Sequence, residues 1–143
     1  MTNILFTVLP TICILFIATY TDIKCKIISN KLIAVGFGYF IIYQLFWLNT
    51  SIGFSLLGVL AATGILYLFA LFNSGSVGGG DIKLMALLGF IYGWEFSILL
   101  LLCTLFLAFF WALCTRKLNE NGFLPMAPFI CTAFLIMQLI IFY

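Results

Sequence analysis

Apolar residues run almost unbroken along this chain, in stretches at about 4–20, 32–48, 54–72, 82–94, 95–115 and 123–143, separated by short breaks of charge, Gly or Asn. A bilayer core about 30 Å thick takes roughly 20 apolar residues per helix, and most of these stretches approach that length. Lipid offers no partner to a backbone N–H or C=O, so each stretch is predicted to be an α-helix that satisfies its own hydrogen bonds. The expected fold class is all-α, a polytopic membrane helix bundle of about six transmembrane helices. It is expected to form a single domain over residues 1–143. The segment Met1 to Tyr20 has no basic residue ahead of its apolar run and no small-residue cleavage pattern, so it reads as a permanent span rather than a removable signal.

Composition agrees with the pattern. Of 143 residues, 66% are hydrophobic and only 7% charged, with a mean hydropathy of +1.32, which leaves a soluble domain no way to hide its apolar surface. The placement of the few charges adds a topology. Lys24, Lys26 and Lys31 fall in the first connection and Arg116 and Lys117 in the fifth, whereas the second connection carries none. Basic loops stay cytoplasmic, and two cytoplasmic loops require an even number of crossings between them. The 82–94 stretch, roughly 20 Å long as a helix, is therefore expected to cross despite its shortness. Both termini then lie outside, and the Gly-rich third connection lies inside with the first. All six Lys and Arg residues, with Asp22, Asp81 and Glu120, fall on the cytoplasmic side, leaving Glu95 alone outside. Packing in such a bundle favours small residues, and Gly58 with Ala62 offers one small-x-x-x-small face.

Chemistry narrows next. The chain has no histidine, which removes Ser-His-Asp and Cys-His nucleophilic systems and the two-histidine zinc helix. The five cysteines contain no C-x-x-C pair, and neither a disulfide framework nor a metal site is indicated. Among the acids, Glu120 sits in a polar loop and Glu95 beside Trp94 at an interface, where solvation accounts for both. Asp22 and Asp81 differ, because each abuts a long apolar run at the same predicted membrane face. Charged groups bordering hydrocarbon usually face a bundle interior, a cavity or a partner. Taken singly, Asp81 reads as a helix N-cap and Asp22 as a snorkelling loop residue. Taken together they form a candidate acid–base pair: two carboxylates within hydrogen-bond reach share one proton, so that one activates water while the other protonates a carbonyl oxygen. The stretch Gly75 to Gly80 lacks the phosphate-loop spacing; its glycines permit close backbone approach or positive φ.

Three landmarks resemble the type IV prepilin peptidases, membrane aspartic peptidases of the GxGD type. Asp22 followed by Ile28-Ser29-Asn30 is similar to that family's first-aspartate motif, Asp, five residues, Ile-Pro-Asn. Gly78-Gly79-Gly80-Asp81-Ile82-Lys83-Leu84 resembles its GxGD-x-K-L motif, and Leu124-Pro125-Met126-Ala127-Pro128-Phe129 the P-x-x-P element that opens its last helix. The resemblance implies that Asp22 and Asp81 are catalytic, with Gly78, Gly80, Lys83, Asn30, Pro125 and Pro128 supporting them or the substrate, and with no cofactor. It implies a cut in the leader of a pilin-like precursor at the cytoplasmic face of the plasma (inner) membrane; the expected partners are that precursor and lipid, with no nucleic acid. Ser29 stands where the family usually has Pro. The cytoplasmic domain of long members, with its paired cysteines, is not seen between the first spans, so the resemblance is to a peptidase-only form.

Other classes remain open at this point. A different intramembrane aspartic peptidase fits the glycine-aspartate loop. A small proton- or cation-conducting protein also uses intramembrane carboxylates, and an inactive subunit of a secretion machine is a further alternative. For Lys83, residues i and i+2 do not share a helix face, which argues against a simple pair with Asp81 and leaves substrate, lipid headgroups or the interface as its target. Asn30 either bonds near the site or caps the second helix.

Overall fold

In a computed structural model, residues 2–47, 52–72, 78–115 and 126–142 are described. They form five α-helical elements: α1 Thr2–Cys25, α2 Asn30–Trp47, α3 Ile52–Phe72, α4 Gly79–Thr115 and α5 Ala127–Phe142. No strand occurs among the described residues. The expected all-α membrane bundle is the fold found. Helices α1, α3 and α4 are long and apolar enough to cross a membrane, while α2 and α5 are shorter.

Helix α4 explains how six apolar runs become five elements. Its 37 residues would make a rod of roughly 55 Å, nearly twice a bilayer core. It is instead broken at Gly93, where φ is 82° and ψ −178°. The sequence places this boundary at 94/95; the structure moves it to the glycine, because positive φ is open to Gly at no steric cost. A side chain at 93 would also run into the Phe54 ring. Both ends of α4 come back to one end of the bundle: Asp81, near its start, shares a cavity with Asp22, and Cys114, near its end, shares a groove with Ile23 and Pro128.

The outward surface is apolar. Leu45 is 73% exposed, Leu139 71% and Phe106 66%, with many large neighbours similarly bare. Water-soluble monomers rarely carry such continuous apolar area; lipid solvates it without cost. Polar side chains point inward instead, with Thr11, Asp22, Ser55, Asp81, Ser97, Thr104 and Gln138 all buried. Several tie helices together, as interhelical hydrogen bonds do in membranes. Gln44 Nε2 donates to Ser55 Oγ at 2.6 Å, Tyr92 Oη to Thr11 Oγ1 at 3.3 Å and Ser97 Oγ to the Gly58 carbonyl at 3.3 Å.

The closest helix pair is α3 with α4. Gly58 meets Gly89 backbone to backbone, and a Cβ built on either would strike the other's carbonyl oxygen. Ala62, one turn further along the same face, is fully buried, so the small-residue face expected at Gly58 and Ala62 is a packing surface. Leu15, Ala18, Leu84, Met85, Leu88, Ile130 and Phe134 form one core shared by α1, α4 and α5.

Candidate active site

Helical period carries Asp22 inward. Thr11, Leu15, Ala18 and Asp22 are all buried on α1, at the i, i+4, i+7, i+11 spacing of a single face. Helix α1 runs on to Cys25, so Asp22 lies in its last turn rather than in a loop. Its side chain is 3% exposed while that of Ile23 is 60% exposed; the snorkelling alternative for Asp22 does not describe its position. The helix closes at Lys26, whose φ of 53° is the left-handed value of a helix C-terminal cap. The Lys26 N–H donates to the Asp22 carbonyl at 2.9 Å.

Residues 27–29 then cross without helical structure. The Ser29 carbonyl accepts from Leu32 N at 3.1 Å and Ile33 N at 3.4 Å, which makes Ser29 the capping position and Asn30 the first residue of α2. Asn30 is thus not the cap. Its Oδ1 accepts instead from Lys83 Nζ at 2.8 Å, a contact spanning 53 positions.

Asp81 arrives from the other side. Helix α4 starts at Gly79, and the Gly78 carbonyl accepts from Asp81 N at 3.0 Å and Ile82 N at 3.4 Å. Gly78 is therefore the N-cap and Asp81 the third helical residue, which corrects the reading of Asp81 as the cap itself. From that position an acid reaches back to the capping residue's own N–H, the reciprocal half of a capping box. The Gly78 backbone is indeed hydrogen-bonded to the Asp81 carboxylate. Asp81, Leu84, Met85 and Leu88 form the buried face of this turn. Asp81 is 4% exposed, and its Oδ1 has no hydrogen-bond partner among the described residues. Gly80 is required for a separate reason: a Cβ there would stand 2.8 Å from the Ile28 Cβ.

Helix α5 closes the arrangement. The Met126 carbonyl accepts from Phe129 N at 3.0 Å and Ile130 N at 3.1 Å, and Pro128 has no N–H, so Ala127 carries the one amide of this first turn without a helical acceptor. It finds Asp22: Ala127 N–H donates to Asp22 Oδ2 at 3.2 Å. A carboxylate suits a helix N-terminus both as an acceptor for orphan amides and as a charge opposing the dipole. Thr19 Oγ1 donates to the Ala127 carbonyl at 3.4 Å on the same seam.

The two aspartates, remote in sequence, line one cavity of about 340 Å³ with residues 26–30, Gly78 to Gly80 and Lys83. Asp22 is near enough for its charge to act on Asp81. Of the residues singled out from sequence, Asp22, Asp81, Gly78, Gly80, Lys83 and Asn30 meet here. Pro128 does not line this cavity; it borders an apolar groove of about 770 Å³ with Ile23, Phe110, Trp111 and Phe129. Pro125 lies outside the described residues. Two participants escaped the sequence reading, the Ile28 side chain against Gly80 and the Ala127 amide on Asp22. The signals that held them were in view, Ile28 inside the first-aspartate motif and Ala127 between the two prolines.

Residues 9–113 match the family model described as the type IV leader peptidase family. A curated relative, the prepilin leader peptidase/N-methyltransferase of Bacillus subtilis (strain 168), is 34% identical over 131 residues, covering 87% of this chain and 51% of the relative. The chain thus spans about half the length of that relative. No solved structure matches. Both aspartates, the Gly80 and Ile28 contact and the Asn30 and Lys83 pair fall inside the matched span, and by that match this chain belongs to the type IV leader peptidase family.

Proposed function

We propose that the chain is a membrane aspartic endopeptidase that removes the leader of type IV prepilin-like precursors. The observation carrying this reading is the meeting of Asp22 and Asp81, both buried, in one cavity at one end of the bundle. Peptide hydrolysis requires a base to take a proton from water and an acid to protonate the carbonyl oxygen, and two carboxyls sharing a proton supply both. Helix caps hold each carboxyl in place, while the buried Asp81 Oδ1 has no hydrogen-bond partner among the described residues, so its capacity to accept or share a proton is not spent on the fold. Hydrolysis by such a pair needs no metal or cofactor.

The substrate follows from the family and from the name of the Bacillus relative. The side of the membrane follows from charge: Lys24, Lys26, Lys31 and Lys83 surround the end that carries the cavity, and Lys-rich ends stay cytoplasmic. The cut is accordingly assigned to the cytoplasmic face of the plasma membrane, with both termini outside.

Co-expression with a pilin-like precursor, followed by mass spectrometry of the precursor, tests the reading. The expected result is a loss of mass equal to the leader. An unchanged precursor mass together with a pH-dependent ion flux through vesicles containing the chain would replace the peptidase by a conducting protein.

A further inference from the structure

The segment that follows Asp22 and the helix beginning near Asp81 are fastened to each other at two points. The first is packing. Ile28 occupies the space that a side chain at position 80 would need, with its Cβ, Cγ1 and Cδ1 at 2.8, 3.0 and 3.2 Å from a Cβ built on Gly80. The second is polar. Lys83 Nζ donates to Asn30 Oδ1 at 2.8 Å. Lys83 stands two positions beyond Asp81 and so on another side of α4. Asp81 turns into the bundle while Lys83 stays exposed and reaches across to α2. Residues 27–29, which join α1 to α2, are not helical, and among the described residues only Ser29 of the three is held by backbone hydrogen bonds, through its carbonyl at the start of α2.

We infer that Asn30 and Lys83, with Ile28 seated on Gly80, are positioning residues that clasp the segment following Asp22 to the Asp81 helix and set the separation of the two carboxyls. The inference rests on the peptidase reading above. A proton shared between two carboxyls requires hydrogen-bond distance, so the geometry of the pair is the quantity such a clasp controls. Helix α1 also meets α4 through Tyr92 and Thr11, but that link is eleven residues along α4 from Asp81, roughly 16 Å away. At that distance it does not itself set the spacing of the two carboxyls. The left-handed turn at Lys26 lets the chain reverse tightly enough for Ile28 and Asn30 to reach α4.

The full chain in detergent, acting on a purified pilin-like precursor, provides kcat and KM. Lys83→Met and Asn30→Leu are each expected to lower kcat by about 10- to 100-fold, the scale of a misplaced reacting group, with KM unchanged. The double variant should be no slower than the slower single one, because both remove the same contact. Asn30→Asp keeps an acceptor and gains a charge-assisted bond to Lys83, and should restore kcat close to the wild-type value. Gly80→Ala should lower kcat as well, by pushing Ile28 off α4, and Gly80→Ala with Ile28→Ala should regain part of the loss because Cγ1 and Cδ1 are removed. A raised KM with kcat preserved would make Lys83 a substrate contact and overturn the clasp. Multiplying losses in the double variant, or an Asn30→Asp chain as slow as Asn30→Leu, would do the same. All of these presuppose a wild-type chain that cleaves; a wild type that does not cleave overturns the peptidase reading instead.

Discussion

Asp22→Asn and Asp81→Asn chains are each expected to fold and to leave the precursor uncut. Asparagine preserves the shape of the side chain and one acceptor oxygen. At position 22 that oxygen still takes the Ala127 N–H, so α5 stays docked on α1; at position 81 it still takes the Gly78 N–H, so the first turn of α4 stays closed. What asparagine loses is the ability to gain and release a proton. Removing either member of an acid–base pair takes away a factor of about 10² to 10⁴ in rate, and under the proposed sharing of one proton neither residue substitutes for the other. Cleavage is read from the precursor's mass, and folding from helical circular dichroism and the detergent melting temperature. Two variants that melt like the wild type and do not cut would assign both carboxyls to the reaction. A folded Asp22→Asn or Asp81→Asn chain that still cuts at an appreciable rate would remove that residue from it.

The membrane character of the fold was plain in the sequence because apolar runs of this length have few alternatives in water. The two aspartates were legible for the same reason: a carboxylate beside hydrocarbon stands out where 66% of residues are hydrophobic. Finer structure was harder to read. In a helix that is apolar all round, no stripe marks the buried face, so the inward row of Thr11, Leu15, Ala18 and Asp22 on α1 could not be told from its lipid-facing neighbours. Glycines posed a related difficulty. Gly58, Gly80, Gly89 and Gly93 are each required by contact or conformation, whereas a side chain at Gly38, Gly53, Gly64 or Gly79 would meet nothing within 4 Å. Sequence treats the two groups alike.

The contacts that build the site are long in sequence and therefore silent in it. The Asp22 bond to Ala127 joins residues 105 apart and the Lys83 bond to Asn30 residues 53 apart. Local rules did exclude a simple pair between Lys83 and Asp81, and the structure gives Lys83 its partner on α2. Local rules also suggested a cap role for Asn30 and for Asp81. Each residue sits near a helix start without being its cap, because Ser29 and Gly78 supply the capping carbonyls; the Asn30 side chain is thereby left to meet Lys83 across the bundle.

Gly58→Ala and Gly64→Ala should move the stability of the chain in opposite directions, although both add one methyl group to α3. At Gly58 the new Cβ would press on the carbonyl of Gly89, 2.8 Å from its carbon, and on Gly93 at 2.9 Å. These are backbone atoms of a packed helix and cannot swing aside, so α3 and α4 must separate. Separation also stretches the Ser97 Oγ bond to the Gly58 carbonyl and unseats Phe54 from the break at Gly93. Overpacking of this kind costs about 1–3 kcal/mol, and near backbone it should fall at the upper end. At Gly64 the same methyl meets nothing within 4 Å, and the helix gains from restricting the unfolded chain, by up to about 1 kcal/mol. Thermal unfolding in detergent should therefore show Gly58→Ala melting below the wild type and Gly64→Ala at or above it. Asp81 sits on the half of α4 that Gly89 anchors, so the Gly58 variant should also cut precursor more slowly at temperatures where it is still folded. Equal melting temperatures for the two variants would mean that the Gly58 and Gly89 contact does not hold the helices together.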